Sequence, residues 1–233
     1  MSKLYLAVDN CFASKRWVTP REWAAILAEV GIRYVEAGAD VELDPLHMES
    51  TYLKGWEEEL RRAAQQYGIT VASFYTGHGT YTTTGLLHPD HRVRRKLREE
   101  WIGDAARRAG RFNAGLGFFV HAVPQIDLED PAAYRLRRRE LEEELALVAE
   151  MAAAVPDLTT VSLEQMYSPH QPPWRIGETL ELLAAVYHRS AGDPLYVTVD
   201  LGHGGPQRRF LRPRREVVAE AISSVRSGVT DCE

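Results

Sequence analysis

The chain has 233 residues, 45% of them hydrophobic, which is ample for one large core and short for two full-sized domains. A net charge of −5 gives no bulk attraction to nucleic-acid phosphates or anionic membranes, and no apolar run approaches the roughly 20 residues of a membrane helix. The two cysteines, Cys11 and Cys232, lie near opposite ends, and the opening MSKLYLAVDN lacks the apolar run and cleavage site of a signal peptide, so a reduced, cytoplasmic protein is expected.

KLYLAVD reads as a first strand, followed by the loop NCFASKRW, which holds Lys15, Arg16 and Trp17 beside Phe12. Thr19, Pro20 and Glu22 mark a helix start: a capping residue, a proline whose missing N–H is harmless in the first turn, and a glutamate where a capping box needs it. IRYVEAG is the second strand and brings Glu36 and Asp40 to its end. TYLKGWEEELRRAAQQYG then has helical period, with Leu53, Trp56, Leu60, Ala63 and Tyr67 on one face and Glu57, Glu58, Arg61 and Arg62 away from it.

ITVASFY is the third strand and leads to YTGHGTY, with His78. The basic clusters HRVRRKLREE and YRLRRRELEEE carry interspersed acids and read as solvated helix faces. Between them GLGFFVHA is the fourth strand, ending at His121. Asp130–Pro131 opens a further helix, whose apolar stripe is Leu141, Leu145, Val148 and Ala152. LTTVSLE is the fifth strand, ending in Glu164, and LYVTVD the sixth, ending in Asp200 with His203 three residues beyond. Pro213 in RPRREV marks the start of a last helix.

Strand and helix alternate without a hairpin signal, which implies parallel strands with right-handed crossovers. The first strand is not followed by the glycine-rich phosphate loop of an open doubly wound sheet, so an α/β fold of the (β/α) TIM-barrel type is favoured. About six strand–helix units can be counted against the eight of a closed barrel. The expectation is a single domain over residues 1–233, incomplete at its C-terminus, whose unpaired sheet edges favour a homo-oligomer.

Chemistry in such folds collects at the carboxyl ends of the strands. Glu164 and Asp200 are one strand–helix unit apart and belong on neighbouring strands about 5 Å from each other. Two carboxylates that close repel unless a cation or proton lies between them, and with His203 they make a carboxylate–imidazole set suited to Mn²⁺, Mg²⁺, Co²⁺ or Zn²⁺. Lys15 and Arg16 are candidate contacts for a substrate phosphate or sugar, and His78 and His121 are candidate substrate contacts. Trp17, Phe74, Tyr75 and Trp174 are aromatics that a sugar could pack on.

Taken together, CFASKRW, RYVEAGAD, YTGHGTYTTTGLLHPD, LEQMYSPHQPPW and VDLGHG resemble the xylose isomerase-like barrel superfamily, and within it the sugar and sugar-phosphate isomerases and epimerases. The resemblance implies that Glu164 and Asp200 bind a divalent metal and that His203 contacts substrate oxygens. It further implies proton transfer through an enediolate, with Glu164 and His203 as the catalytic residues. The family completes its metal shell at the ends of strands 7 and 8, regions this sequence lacks. Two other readings stay open: a partial barrel that binds metal, sugar or another chain without turnover, and a zinc hydrolase like the apurinic-site endonucleases. The acidic charge balance weighs against the nucleic-acid partner that the latter requires.

Overall fold

The six β-branched and aromatic runs become six short parallel strands, joined in sequence order β1-β2-β3-β4-β5-β6 into one sheet. They are β1 (Ala7–Asp9), β2 (Tyr34–Gly38), β3 (Thr70–Thr76), β4 (Gly115–Phe118), β5 (Val161–Gln165) and β6 (Tyr196–Val199). The computed structural model describes residues 5–38, 43–76 and 83–203. Asp40, His78 and the helix start at Pro213 lie outside the described residues. The strictly neighbouring strand order confirms the barrel-type winding, and the sheet forms an incomplete barrel.

Helices α1 (Pro20–Glu29), α2 (Ser50–Tyr67), α3 (His91–Lys96), α4 (Gly103–Gly110), α5 (Gln125–Glu129), α6 (Pro131–Ala153) and α7 (Ile176–Arg189) form the crossovers. A π-helical turn, Leu97–Ile102, makes α3 and α4 one continuous run. The sequence signals for helix starts hold: the backbone N–H of Thr19 donates to Glu22 Oε2 at 3.0 Å, and Asp130 accepts from the N–H of Ala132 at 2.8 Å. Alternation along the strands separates two faces. Val35, Phe74, Leu116, Phe118 and Leu163 are buried in the main core with Trp23, Leu53, Leu60, Trp101 and Leu145. The other face carries Asp9, Glu36, Tyr75, Glu164 and Thr198, all of which line one cavity.

That shared cavity reveals the curvature. Five flat steps of about 4.8 Å would hold β1 and β6 roughly 24 Å apart, yet Asp9 at the end of β1 and Asp200 just after β6 border the same space.

Two charged clusters are largely buried, and the second corrects the solvated-face expectation for HRVRRKLREE and YRLRRRELEEE. Glu57 on α2 is only 4% exposed; it accepts from Arg108 on α4 and from Arg111 at 2.8 Å, while Asp104 accepts from Arg108 at 2.6 Å. Arg94, also buried, donates to Glu144 on α6 at 3.0 Å, and Arg98 pairs with the same carboxylate. Helical period alone places such residues by angle; it does not reveal a partner some 50 residues away that makes burial tolerable.

Candidate functional site

The inner face opens at the carboxyl ends of the strands into a cavity of about 420 Å³. That volume suits a small ligand. β5 and β6 pair with Glu164 opposite Thr198, which sets Glu164 and Asp200 side by side at the rim. His203 lies between them: its Nδ1 is 3.3 Å from Glu164 Oε1 and its Nε2 is 3.4 Å from Asp200 Oδ2. The backbone carbonyl of Gln165 accepts from His203 Nδ1 at 2.9 Å. Since a carbonyl oxygen only accepts, Nδ1 carries a proton, and in the neutral ring the Nε2 lone pair faces Asp200.

Ligating atoms of Glu164, Asp200 and His203 all fall within 4.8 Å of one another. Three donors spread evenly at about 2.1 Å from a cation lie about 3.6 Å apart, so side-chain shifts of roughly 0.7 Å or less would bring all three onto one ion. The donor set therefore fits a divalent metal.

Glu164 is held from a second side. Its Oε2 accepts from the hydroxyl of Tyr75, which reaches across β4 from β3. The passage exists because β4 presents Gly117 there: a Cβ at that position would lie 2.8 Å from Tyr75 Cδ2. Tyr75 in turn stacks on Phe119, another lining residue. Beyond β5 the loop 166–175 walls the cavity with Met166, Tyr167 and Gln171. It is tied down by hydrogen bonds from Met166 N to Pro173 O and from Val123 N to His170 O, each 2.8 Å. The Tyr167 ring lies 5.0 Å from that of His203.

Asp9 and Glu36 face this group from the other end of the sheet, paired in register. Burial pushes the Glu36 carboxyl above its usual pKa; a hydrogen bond from Ser73 at 2.5 Å pulls it down, and the charges of Asp9 and Glu164 add to the upward push.

Of the residues that the sequence nominated, Glu36, Tyr75, Glu164, Asp200 and His203 come together here. Six others do not line the cavity. Lys15 and Arg16 are exposed: Lys15 occupies a left-handed turn (φ 61°), and Arg16 donates to the carbonyl of Phe12. Trp17 packs edge-on against Phe12, and His121 is buried behind Phe119, its ring centroid 4.3 Å away. Phe74 turns outward onto Phe112, and Trp174 is covered by the Arg175 guanidinium. Asp9 is the residue sequence reasoning missed. Its signal was present, since AVD ends the first strand just as TVD ends the sixth.

The family model for the xylose isomerase-like TIM barrel matches residues 24–211. The chain belongs to this family. Its fold is similar to a Rhodospirillum rubrum ATCC 11170 protein provisionally named a xylose isomerase, at TM-score 0.76 and 21% identity over 87% of this chain and 67% of that one. It is also similar to D-psicose 3-epimerase from Clostridium cellulolyticum H10, solved with D-tagatose, at TM-score 0.65 and 17% identity over 88% and 66% of the two chains. A third likeness is to a xylose isomerase-like TIM barrel protein from Mycobacterium smegmatis in complex with magnesium, at TM-score 0.61 and 17% identity over 94% and 71%. The family member thus spans about two thirds of the length of the first two structures. No functionally curated protein matches it. Among the described residues no helix is long and apolar enough to cross a membrane.

Proposed function

We propose that the protein is a divalent-metal-dependent isomerase or epimerase of a sugar. The observation that carries this reading is the convergence of Glu164, Asp200 and His203 within 4.8 Å at the ends of neighbouring strands, beside a cavity of about 420 Å³. Likeness to sugar epimerases and to a magnesium-bound relative supports it.

Moving a carbonyl along a sugar, or inverting the carbon beside it, requires removal of a weakly acidic C–H proton and passage through an enediolate. A divalent cation held by Glu164, Asp200 and His203 would supply Lewis acidity to adjacent sugar oxygens. Glu164 takes the proton and, in an isomerisation, returns it to the neighbouring carbon. Tyr75 fixes the carboxylate by donating to Oε2, which leaves Oε1 on the side of His203. His203, oriented by its Nδ1–H bond to Gln165, turns Nε2 toward Asp200, where the two would hold the cation at the rim.

The test is calorimetric titration of Mn²⁺ into the metal-free chain, alongside NMR of ketoses in D₂O. One-site binding that is lost in Glu164→Ala and Asp200→Ala, with solvent deuterium entering the sugar only with the unmodified protein, is the expected result. A folded chain that binds no Mn²⁺ and exchanges no sugar proton would refute the reading.

A further inference from the structure

Four carboxylates border the cavity, and only two of them belong to the candidate metal set. Asp9 and Glu36 stand apart from it, in register on β1 and β2. Each has one oxygen fixed by the protein: Asp9 Oδ1 accepts from the N–H of Cys11 at 2.8 Å, and Glu36 Oε2 accepts from the hydroxyl of Ser73 at 2.5 Å. These bonds hold the carboxyls in place and turn their second oxygens into acceptors for whatever enters. Among the described lining residues there is no lysine or arginine. Lys15 and Arg16, in the loop that follows β1, are exposed and do not line the cavity.

We propose that Asp9 and Glu36 form a hydroxyl-accepting wall that selects an uncharged polyhydroxylated substrate, a free sugar in preference to a sugar phosphate or sugar acid. The inference rests on the metal-and-sugar reading above and narrows it. Fixed carboxylates accept well from sugar hydroxyls, which are neutral donors. The same groups repel a phosphate or carboxylate brought alongside, so discrimination comes from a built-in repulsion as much as from an added attraction. For the same reason the wall disfavours a phosphodiester substrate.

The experiment uses the full chain loaded with Mn²⁺ and matched pairs of probes: D-fructose with D-fructose 6-phosphate, and D-tagatose with D-tagatose 6-phosphate. Affinity and solvent-proton exchange are measured for each, at low and high salt. The expected outcome is a preference of at least about tenfold for the free sugar, shrinking as salt screens the repulsion. Glu36→Gln keeps an oxygen for Ser73 but loses the charge, and Asp9→Asn does the same for Cys11. Each should narrow that preference several-fold while Mn²⁺ affinity stays unchanged. A preference for the phosphorylated sugar, or a ratio that neither variant moves, overturns this inference while leaving the metal-and-sugar reading intact. Absence of both Mn²⁺ and sugar binding removes that underlying reading and this inference with it.

Discussion

Gly117→Ala tests how the sheet builds the site. The added Cβ would sit 2.8 Å from Tyr75 Cδ2, about 0.7 Å inside the roughly 3.5 Å at which carbon atoms rest. The atom in the way belongs to the near part of an aromatic ring, so no flexible side-chain end can yield. Ser162 Oγ, at 3.6 Å from the same point, closes one direction of escape. If the ring swings about its own Cβ, the hydroxyl moves further than the ring edge and the bond to Glu164 breaks. If instead the strands part, the β3–β4 pairing of Tyr75 with Gly117 is strained. Overpacking of this kind costs about 1–3 kcal/mol, which lowers Tm by about 2–12 °C in a chain of this size. Loss of a hydrogen bond to a charged acceptor is worth about 1.5–3 kcal/mol, so Mn²⁺ affinity or proton exchange should fall roughly ten- to a hundredfold. Thermal melts and Mn²⁺ calorimetry, with Tyr75→Phe as companion, measure the two losses separately. Tyr75→Phe should reproduce the functional loss with less of the stability loss. An alanine variant with unchanged Tm and unchanged Mn²⁺ affinity would refute the packing argument.

Glu57→Gln leaves Arg108 buried with Asp104 as its remaining acidic partner, and should destabilise the fold by about 3–5 kcal/mol in urea titrations; a loss under about 1 kcal/mol would mean Asp104 alone satisfies the guanidinium. Glu36 has its pKa raised above 4.5 in the folded state, mainly by burial, so the native protein keeps the proton longer than the unfolded chain. Its contribution to stability is therefore full below that value and is lost as pH rises through the folded pKa. Glu36→Gln should gain stability relative to the unmodified protein as pH rises above 4.5, and melting curves that shift in parallel with pH would contradict the assignment. Thr19→Ala removes one side of the contact with Glu22 at the start of α1 and should cost about 1 kcal/mol in the same titrations, with Mn²⁺ binding untouched.

The strand runs, their order and the acids at the ends of β5 and β6 were legible in the sequence because each is a local pattern: β-branched alternation, a cap, a terminal carboxylate. What escaped was whatever depends on a distant partner. Glu57 reads as a surface residue until Arg108 is brought against it by the crossover from α2 to α4. Lys15, Arg16 and His121 occur at strand ends as a substrate contact should, but a left-handed turn and a covering phenylalanine decide where such side chains go. Tyr75 was nominated as a wall for a sugar, and its link to Glu164, two strands away, depends on a glycine on the strand between them. Asp9 was overlooked because a single acid at a strand end also serves as a cap, and here it does both.

The cavity draws its walls from residues as far apart in sequence as Asp9 and His203. Each parallel pairing between them spans a full crossover, so contacts across the cavity have long sequence separations, and such contacts carry a large loop-closure entropy. The outer helical layer can condense locally, α1 against α2 and α6 against α7, before the far strands meet. Cavity closure is thus expected late in folding, and a ligand that touches both rims stabilises the curved sheet by an amount that grows with the logarithm of its concentration above Kd.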